Sequence, residues 1–380
     1  GVGALGVNNR GFGTTIGPAA ELPLGSTNCA NCGQCVMVCP VGALLTRVDS
    51  RPVWNALFNP KVRTVVQTAP AVRVALGEMF GMEPGTIVTA KMAHALRLLG
   101  FDDVFDTNFA ADLTILEEGT EFLHRALAAV RGQDVVLPMI TSCSPGWIKY
   151  VEHEFPHRLA HLSSCKSPHM MLGALAKTYW AKKKNVDPKE MYVVSVMPCT
   201  AKKFEITRPE LFVDGLPAVD AVLTTRELAR MIKEAGIDFN SLEGMAFDEP
   251  LGFSTGAADI FGATGGVMEA ALRTVYEVVT GREIPFPRLD VTPVRGLSQV
   301  KEASLTLEDV KPEFKELEGF TVKVAVTSGL KGAKRLMKEI EAGTAPWHFI
   351  EVMGCPGGCI AGGGQPRPTT RSTTRISRSR

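Results

Sequence analysis

Apolar and polar positions along the chain follow two periods, which together predict the secondary structure from Val62 onward. Short apolar runs, typical of buried strands, alternate with longer segments whose apolar positions recur every three or four residues, as in amphipathic helices. The runs include VRTVVQTAP, VVLPMITSC and MYVVSVMPC, and the helical segments include KMAHALRLLG, LTILEEGTEFLHRALAAV and HMMLGALAKTYWAKK. This alternation predicts an α/β fold in which mainly parallel sheets carry helices on their faces.

Three of the apolar runs end in a cysteine, at Cys143, Cys199 and Cys355. Ligands of open α/β sheets bind at the carboxyl ends of the strands, so each cysteine is expected at a binding edge. If the first run lies in one lobe and the other two lie in the next, the three thiols converge on a cleft between the lobes. This convergence is the main structural prediction from the sequence.

Length and composition are those of an ordinary globular protein. The 380 residues suffice for two or three domains, and 45% apolar residues, 21% charged residues and a net charge of +1 argue against disorder and against a polyanion-binding protein. No apolar run approaches the roughly 18 to 20 residues that cross a bilayer, and the first residues lack the layout of a secretory signal. We therefore expect neither nucleic acid nor a membrane as a partner. Since the sequence does not begin with Met, N-terminal targeting stays open.

The cysteines indicate metal chemistry. Cys29, Cys32, Cys35 and Cys39 have the C-x-x-C-x-x-C-x-x-x-C-P spacing that wraps thiolates around a [4Fe–4S] cluster. In two-cluster ferredoxins the fourth cysteine of such a run serves the other cluster. Cys39 therefore either closes the same cluster or serves a second one with ligands upstream, and the absence of an initiating Met favours the second interpretation.

Three further segments carry cysteines in recognisable contexts: TSCSPGW at 141–147, MPCTAKKFE at 197–205 and EVMGCPGGCIAGGGQP at 351–366. In the last of them, Cys355 and Cys359 are four residues apart, so two thiolates can bind one soft metal site while the glycines let the backbone approach it closely. The presence of all three segments in one chain argues against ordinary loops.

These segments resemble the three signature motifs of the catalytic domain of iron-only, or [FeFe], hydrogenases. The resemblance extends to SSCKSP at 163–168, TTREL at 224–228 and FGATGGVMEAALR at 261–273, and it covers about residues 1–366. It implies an H-cluster, a [4Fe–4S] cubane bridged through one cysteine thiolate to a diiron unit with CO, cyanide and a dithiolate bridge. It also implies reversible reduction of protons to dihydrogen, with electrons relayed through [4Fe–4S] clusters from ferredoxin or a similar carrier.

With this resemblance, the chain is expected to divide into four segments. Residues 1–50 would form a small ferredoxin-like [4Fe–4S] segment, truncated at its N-terminus and dependent on metal to fold. Residues 51–190 and 191–366 would form the two lobes of the catalytic domain. Residues 367–380, which hold five Arg and no acidic residue, are expected to form a disordered tail.

The resemblance also implies roles for individual residues. Cys199 and Cys355 would ligate the cubane, and Cys359 would bridge the two sub-clusters. Lys202 would donate a hydrogen bond to a cyanide, a role that suits a compact charge, and Glu205 would hold Lys202. The residues that would pack around the diiron unit and keep water away are Met197, Met353, Ala69, Pro70 and Phe261.

A proton route is expected along one predicted helix. Glu118, Glu121 and Arg125 lie at i, i+3 and i+7 and share roughly one face, which on chemistry alone would be a solvated charged face. The resemblance instead implies a relay through Glu118, Ser163, Glu121 and Cys143 to the bridging amine of the diiron unit. A thiol with an ordinary pKa of about 8.5 can exchange protons around neutrality.

The first motif departs from the family, which usually has a second cysteine where this chain has Ser144. In the family pair, the first cysteine relays protons and the second ligates the cubane, and a hydroxyl is a far poorer iron ligand than a thiolate. Either three cysteines and the Ser144 oxygen hold the cubane, or Cys143 becomes the ligand and leaves the relay. Cys165 is a third candidate, although a lone cysteine is usually a small buried hydrophobe. His169 stands where related sequences often carry Gln, with no effect that the sequence predicts.

Two other functions compete with the hydrogenase. A hydrogen sensor on the same domain would carry a signalling module, and the sequence contains none that we recognise. An iron–sulfur scaffold or assembly protein would keep the fold and lose the diiron unit; Ser144 favours this alternative, whereas Lys202, Met353, Glu351 and Glu205 favour the enzyme.

The resemblance implies several partners besides protons and dihydrogen. They are ferredoxin or a similar carrier, hydrogenase maturation proteins and, because no helical segment follows Pro366, a separate small subunit or further electron-transfer subunits. The expected location is the cytoplasm of an anaerobic organism or an anaerobic compartment.

Overall fold

Strands and helices alternate along most of the chain in the computed structural model, which describes residues 2–285, 292–293 and 299–367. In these ranges the strands are β1 (Gly6–Asn8), β2 (Thr15–Gly17), β3 (Arg63–Thr68), β4 (Asp103–Asp106), β5 (Met139–Ile140), β6 (Met191–Met197), β7 (Ala221–Thr224), β8 (Thr292–Pro293), β9 (Val300–Thr306), β10 (Thr321–Ser328) and β11 (Phe349–Met353). The α-helices are α1 (Gln34–Val38), α2 (Ser50–Leu57), α3 (Pro70–Arg73), α4 (Thr89–Leu98), α5 (Asn108–Val130), α6 (Pro145–Glu154), α7 (Pro168–Leu175), α8 (Ala181–Lys184), α9 (Lys202–Glu205), α10 (Thr225–Glu234), α11 (Gly266–Thr280) and α12 (Leu330–Glu341). The predicted α/β fold is confirmed; the predicted tail lies, beyond Arg367, outside the described residues.

One sheet has four strands in the order β4-β3-β6-β7, all parallel. β3 and β6 pair along most of their length, with Val65 opposite Val193 and Val66 opposite Val194. These valines lie in a large buried core that also contains Met92 of α4 and Leu228 of α10. Valine-rich strands buried on both faces are the pattern expected of a parallel sheet with helices on each side.

The second sheet has the order β5-β11-β10-β9-β8. Strands β5, β11 and β10 run parallel, β9 is antiparallel to β10, and β8 is antiparallel to β9. The run that ends in Cys143 therefore shares a sheet with the run that ends in Cys355, while the run that ends in Cys199 lies in the other sheet. The expected grouping of these runs by lobe is wrong. The sheets do not follow the expected division between residues 190 and 191, because the chain leaves the first sheet after β4 and returns to it at β6. The hydrophobicity of a run predicts a strand but not its partner.

Helices α5 and α11 pack together over the second sheet. Phe122 of α5 stacks on Phe349 of β11 with ring centroids 5.0 Å apart, and Met268 of α11 lies in the same core. Burial of one large apolar side chain contributes about 1.5–3 kcal/mol. This layer therefore holds α5, which carries the acidic residues of the predicted relay, firmly against β11.

The N-terminal segment packs on the larger body of the protein. It contains the β1–β2 hairpin, several short 3-10 turns and α1. Gln34 Nε2 donates to the carbonyl oxygen of Ala361 over 2.9 Å, and Thr200 Oγ1 donates to the carbonyl oxygen of Asn31 over 2.7 Å. The cysteine-rich segment is thus attached to the loops that follow β6 and β11. Among the helices of the described ranges, none is long and apolar enough to span a membrane.

Candidate functional site

Three loops meet at the carboxyl ends of β5, β6 and β11. Nζ of Lys202, after β6, donates to the carbonyl oxygen of Cys143, after β5, over 3.2 Å. The amide nitrogen of Gly354, after β11, donates to Oγ of Ser144 over 3.0 Å. The amide nitrogen of Gly364, farther along the same loop, donates to the carbonyl oxygen of Pro198 over 2.7 Å. Each loop therefore binds both of the others, and the predicted meeting of the cysteine-bearing loops is confirmed.

Four thiols lie at this meeting point, those of Cys143, Cys199, Cys355 and Cys359. Burial raises the pKa of every one of them, that of Cys359 to about 12. The negative charge of Cys199 further raises the pKa of Cys355 and of Cys359. Because neighbouring thiolates repel one another, the group can ionise together only when a cationic centre compensates the charge.

This donor set fits an iron–sulfur cluster, which thiolates hold. Over the part of the chain that the structure describes, no three His, Cys, Asp or Glu residues form a group that could hold one ion. A tetrahedral zinc site would bring its sulfur ligands to within about 4 Å of one another. A [4Fe–4S] cubane holds its thiolates farther apart because they bind different iron atoms, and thiolates are the donors that iron–sulfur clusters select.

Glycines bring the loop after β11 close to its neighbours. Gly358 has a φ of +96°, and a Cβ atom there would lie 2.8 Å from the amide nitrogen of Thr264. At Gly363 a Cβ atom would lie 2.3 Å from the carbonyl oxygen of Cys32. Because a larger residue at either position would push the loop away, glycine is what lets this loop pack between the FGATGG segment and the N-terminal cysteines.

Apolar residues enclose the same region. Met353 and Phe261 share one buried cluster. Met197, the last residue of β6, and Ala69, which follows β3, are buried at the edge of the four-stranded sheet. Pro70 is partly exposed and begins α3, which contacts the loop after β11. All five predicted wall residues therefore lie in or directly beside the segments that meet here.

Lys202 and Glu205 form a buried ion pair next to the thiols. Nζ of Lys202 lies 2.8 Å from Oε2 of Glu205, and the two side chains are 11% and 6% exposed. Burial acts to lower the pKa of Lys202, but the charges of Glu205 and then Cys199 outweigh it and raise that pKa. Burial acts to raise the pKa of Glu205, but Lys202 outweighs it and the pKa falls to about 2. Lys202 is therefore a cation that the carboxylate of Glu205 holds in place.

Glu121 forms the partly exposed end of the relay on α5. The expected order, in which Glu121 comes next to Cys143, is therefore wrong, because the buried Glu118 is the glutamate beside Cys143. Its Oε1 lies 2.7 Å from Nη2 of Arg125, and its Oε2 accepts hydrogen bonds from Oγ of Ser163 over 3.0 Å and from the amide of Ser164 over 2.9 Å. Burial acts to raise the pKa of Glu121, but the Ser164 amide and then Arg125 outweigh it and lower the pKa. This carboxylate is therefore ionised at neutrality.

Glu118 lies one turn earlier on α5 and is 2% exposed. Burial raises its pKa to about 7, against the opposing effect of the Ser163 hydroxyl and the Ser142 amide. Its Oε1 has no hydrogen-bond partner among the described residues. The prediction from chemistry alone, that this helix face is solvated, is therefore wrong at Glu118. This residue is a buried acid that can carry a proton at neutral pH.

Cys143 lies next to Glu118 on the inner side. Burial, and then the charge of Glu118, raise the pKa of its thiol well above the ordinary value. The thiol is therefore protonated around neutrality, even more completely than a free cysteine. A protonated thiol beside a carboxylic acid can still pass a proton on when it receives one.

Ser144 and Cys165, the other two candidates for the fourth ligand of the cubane, lie in different places. Oγ of Ser144 accepts the hydrogen bond from Gly354 and so joins two of the loops. Sγ of Cys165 lies 3.8 Å from Oε2 of Glu121, and burial raises the pKa of this thiol to about 12. Cys165 therefore lies at the outer end of the relay and not with Cys355 and its neighbours.

The N-terminal cysteines fall into two groups. Burial raises the pKa of Cys35, and the charges of Cys32 and Cys29 raise it further, so these three lie close together. The sulfur of Cys39 faces the backbone amides of residues 41–44, above all that of Leu44, which lower its pKa. A cavity of about 340 Å³ is lined by two of the three grouped cysteines. Whether Cys39 serves the same cluster or a second one stays a prediction.

Two residues that shape the site carry roles the sequence did not predict. Oγ of Ser167 donates to Oε1 of Glu205 over 2.6 Å. Glu351 accepts hydrogen bonds from the amides of Gly265 over 2.7 Å and Met268 over 2.8 Å, so its carboxyl group binds the N-terminus of α11 to β11. Burial raises the pKa of Glu351 to about 7. Its position in the apolar run HFIEVMGC was a usable signal, because a buried acid needs specific partners.

Comparisons with known proteins agree with this site. A family model described as iron only hydrogenase large subunit, C-terminal domain, matches residues 62–363, and a 4Fe-4S binding domain matches residues 26–45. A relative from Solidesulfovibrio fructosivorans, named NADP-reducing hydrogenase subunit HndD, is 53% identical over 365 residues. That match covers 96% of this chain but only 60% of the relative, so the chain spans about three fifths of that relative's length.

A solved structure and a less similar relative complete the comparison. A solved structure of a variant [FeFe]-hydrogenase from Chlamydomonas reinhardtii superposes on this chain with a TM-score of 0.78 and 42% sequence identity. The match covers 87% of this chain and 88% of that one. A relative from Rattus norvegicus named cytosolic iron-sulfur assembly component 3 is 30% identical over 354 residues, which cover 89% of this chain and 71% of the relative.

Proposed function

The chain belongs to the iron-only hydrogenase family, and we propose that it catalyses the reversible reduction of protons to dihydrogen. The observation that carries the proposal is the meeting of the Cys199, Cys355 and Cys359 thiols beside the buried pair of Lys202 and Glu205. A soft-metal donor set next to a fixed cation and a chain of proton carriers suits a reaction that consumes electrons and protons together.

Cys199, Cys355 and Cys359 would hold the cubane of an H-cluster, and Cys359 would also bridge it to the diiron unit. When bound, this group supplies the redox centre at which protons and dihydrogen interconvert. The chain's own contribution is to orient the group and exclude water from it. The apolar residues that would do so are Met353, Phe261, Met197, Ala69 and Pro70.

Lys202 would bind an anionic ligand of the diiron unit, such as cyanide. Its ammonium group has three N–H bonds, of which Glu205 and the carbonyl oxygen of Cys143 accept two in the described structure. The third is available for the ligand. Because Glu205 keeps Lys202 charged and in place, this hydrogen bond would be charge-assisted and therefore strong.

Protons would move along Glu121, Ser163, Glu118 and Cys143. Glu121 is partly open to solvent, the Ser163 hydroxyl donates to it, and the buried Glu118 lies between Ser163 and Cys143. The pKa of Glu118, about 7, suits a group that both takes up and releases protons near neutrality. Since Ser144 binds Gly354, we assign Cys143 to the relay and only three cysteines to the cubane.

Electrons would enter through residues 1–50, the ferredoxin-like segment. Cys29, Cys32 and Cys35 would hold a [4Fe–4S] cluster there, and Cys39 would serve a second one. The charge of Cys32 raises the pKa of Cys355, so the two cysteine groups lie close enough for a short electron path. The electron donor would be a ferredoxin-like carrier or further subunits, in keeping with the subunit name of the 53% identical relative.

Assembly of a diiron unit with CO and cyanide would require hydrogenase maturation proteins as transient partners. We place the protein in the cytoplasm of an anaerobic cell. All nine cysteines are free thiols, as expected where the environment is reducing and as iron ligation requires.

An iron–sulfur assembly protein is the second candidate, supported by Ser144 and by the 30% identical relative named for that process. It would hold the cubane without the diiron unit. The ion pair of Lys202 and the relay that ends at Cys143 favour the hydrogenase, because a protein that only holds a cubane needs neither. A hydrogen sensor would share every cofactor and differ by slow turnover.

Gas turnover separates these functions. We expect anaerobically matured protein to release dihydrogen from reduced methyl viologen, and we expect Cys359→Ser to release none while it keeps its N-terminal cluster. Turnover at a small fraction of enzyme rates would favour the sensor. Iron and sulfide in both proteins without dihydrogen from either would overturn the proposal in favour of the assembly protein.

A further inference from the structure

His169, which the mechanism above does not use, lies in a buried polar cluster. It stands on the first turn of α7 and is 1% exposed. Its Nε2 lies 2.7 Å from Oε2 of Glu205, and its Nδ1 lies 3.1 Å from Oγ of Ser195. Ser195 is itself fully buried in the middle of β6. The imidazole therefore connects the core of the four-stranded sheet to the carboxylate that holds Lys202.

The hydrogen-bond directions in this cluster follow from the chemistry of its members. Burial lowers the pKa of His169 to about 4, so the ring is neutral and carries one N–H. An ionised carboxylate only accepts hydrogen bonds, so the N–H is on Nε2 and points to Glu205. Nδ1 is then an acceptor, and the Ser195 hydroxyl donates to it. Ser195 thus fixes the tautomer of His169, as second partners of histidine commonly do.

Glu205 accordingly accepts three hydrogen bonds, from Ser167 on Oε1 over 2.6 Å and from His169 and Lys202 on Oε2 over 2.7 and 2.8 Å. Two of these donors lie at the start of α7 and the third lies on α9, so both oxygens of the carboxylate are held. The direction of the salt bridge, and with it the direction of the remaining N–H of Lys202, then depends on all three donors.

We propose that His169 is a positioning residue, which orients Glu205 and through it points Lys202 at an anionic ligand of the metal group. This inference rests on the proposed function for the identity of that ligand. A Gln side chain can also donate to Glu205, whereas an apolar side chain of similar size cannot.

The first experiment needs no bound cofactor. In the metal-free protein we would measure the rate at which Lys202 is methylated by formaldehyde and a borohydride, by mass spectrometry of peptides. Loss of one charge-assisted hydrogen bond corresponds to a change of roughly tenfold or more in an equilibrium. We expect His169→Leu to raise the rate roughly tenfold and His169→Gln to leave it within about twofold of the parent. His94→Leu on α4 is the control for a general effect of losing a histidine. A rate in His169→Leu equal to that of the parent would overturn the proposal.

The second experiment uses matured protein and reads the infrared C≡N stretching bands. His169→Leu should shift these bands and retain less diiron unit per cubane, while His169→Gln should match the parent. Unshifted bands at full occupancy in His169→Leu would contradict the proposal. If the parent itself had no C≡N bands, the proposed function would fail, and the methylation rates would still decide whether His169 positions Lys202.

Discussion

A Cβ atom at Gly363 would lie 2.3 Å from the carbonyl oxygen of Cys32, so at this position the backbones of the loop after β11 and of the N-terminal cysteine segment touch directly. This contact joins the segment that would receive electrons to the segment that would hold the cubane. The absence of a side chain at this one position therefore sets how closely the two approach.

Gly363→Ala should separate the two segments. The added methyl group forces a backbone shift, for which overpacking typically costs about 1–3 kcal/mol. We expect dihydrogen evolution driven by reduced ferredoxin to fall more than evolution driven by a small viologen dye, because only the first depends on the N-terminal cluster. Gly13→Ala is the matched control, since nothing lies within 4 Å of its Cβ position. Equal losses with both electron donors would contradict the electron route.

Lys202→Asn should abolish retention of the diiron unit and weaken the fold. Glu205 would keep its charge in a buried site without its cation, and breaking a buried ion pair in this way typically costs about 3–5 kcal/mol. Iron content per chain and urea unfolding measure the two effects, with the exposed Lys182→Asn as control. Undiminished gas turnover in Lys202→Asn would refute the role of this lysine.

Glu118→Gln should slow turnover at least about 100-fold, the usual minimum for loss of a positioned proton carrier. It should also change the dependence of stability on pH. Burial raises the pKa of Glu118 from 4.5 to about 7, so the folded state binds a proton that the unfolded state has lost between these values. The parent therefore loses stability as the pH rises through this window, by up to about 3 kcal/mol from this group.

Urea unfolding at pH 5 and pH 8 measures this effect. Glu118→Gln cannot ionise, so its stability should fall less than that of the parent between the two pH values. Glu351 has a similarly raised pKa and is present in both proteins, so its own contribution largely cancels in the difference. Parallel pH profiles for the two proteins would show that Glu118 is not a buried acid.

Turnover and cubane iron in variants of Cys143 and Ser144 distinguish the roles of these two residues. We expect Cys143→Ser to lower turnover at least about 100-fold with unchanged cubane iron, because the thiol relays protons and does not ligate. Ser144→Ala should keep the cubane iron as well, since the Ser144 hydroxyl binds Gly354. Loss of cubane iron in either variant would identify that residue as the fourth ligand.

The sequence predicted the elements of the site better than their arrangement. Each cysteine that ends an apolar run does lie at the carboxyl end of a strand, because a buried strand, a turn and a ligand residue follow one another locally. The sheet that each strand joins was not predictable in this way. β5 adds to β11, more than 200 residues later in the chain, and Met139 and Phe349 of these strands share a core with α5 and α11.

Polar contacts inside the core were harder still to predict. Ser195 and Glu351 were visible as polar residues in apolar strands, which indicates that each has a partner but not which one. Ser195 binds His169 and Glu351 binds the start of α11, and both partners come from other segments of the chain. The ionisation of Cys143 was also beyond the sequence, because burial and the charge of Glu118 arise only in the fold.

Infrared spectroscopy of the anaerobically matured protein tests the central claim most directly, namely that the thiols of Cys199, Cys355 and Cys359 hold a cubane joined to a diiron unit. The account predicts bands from metal-bound CO and cyanide in the parent, and their loss in Cys359→Ser. Iron and sulfide in the parent without either set of bands would mean that the meeting thiols hold a cubane alone, and would contradict the account.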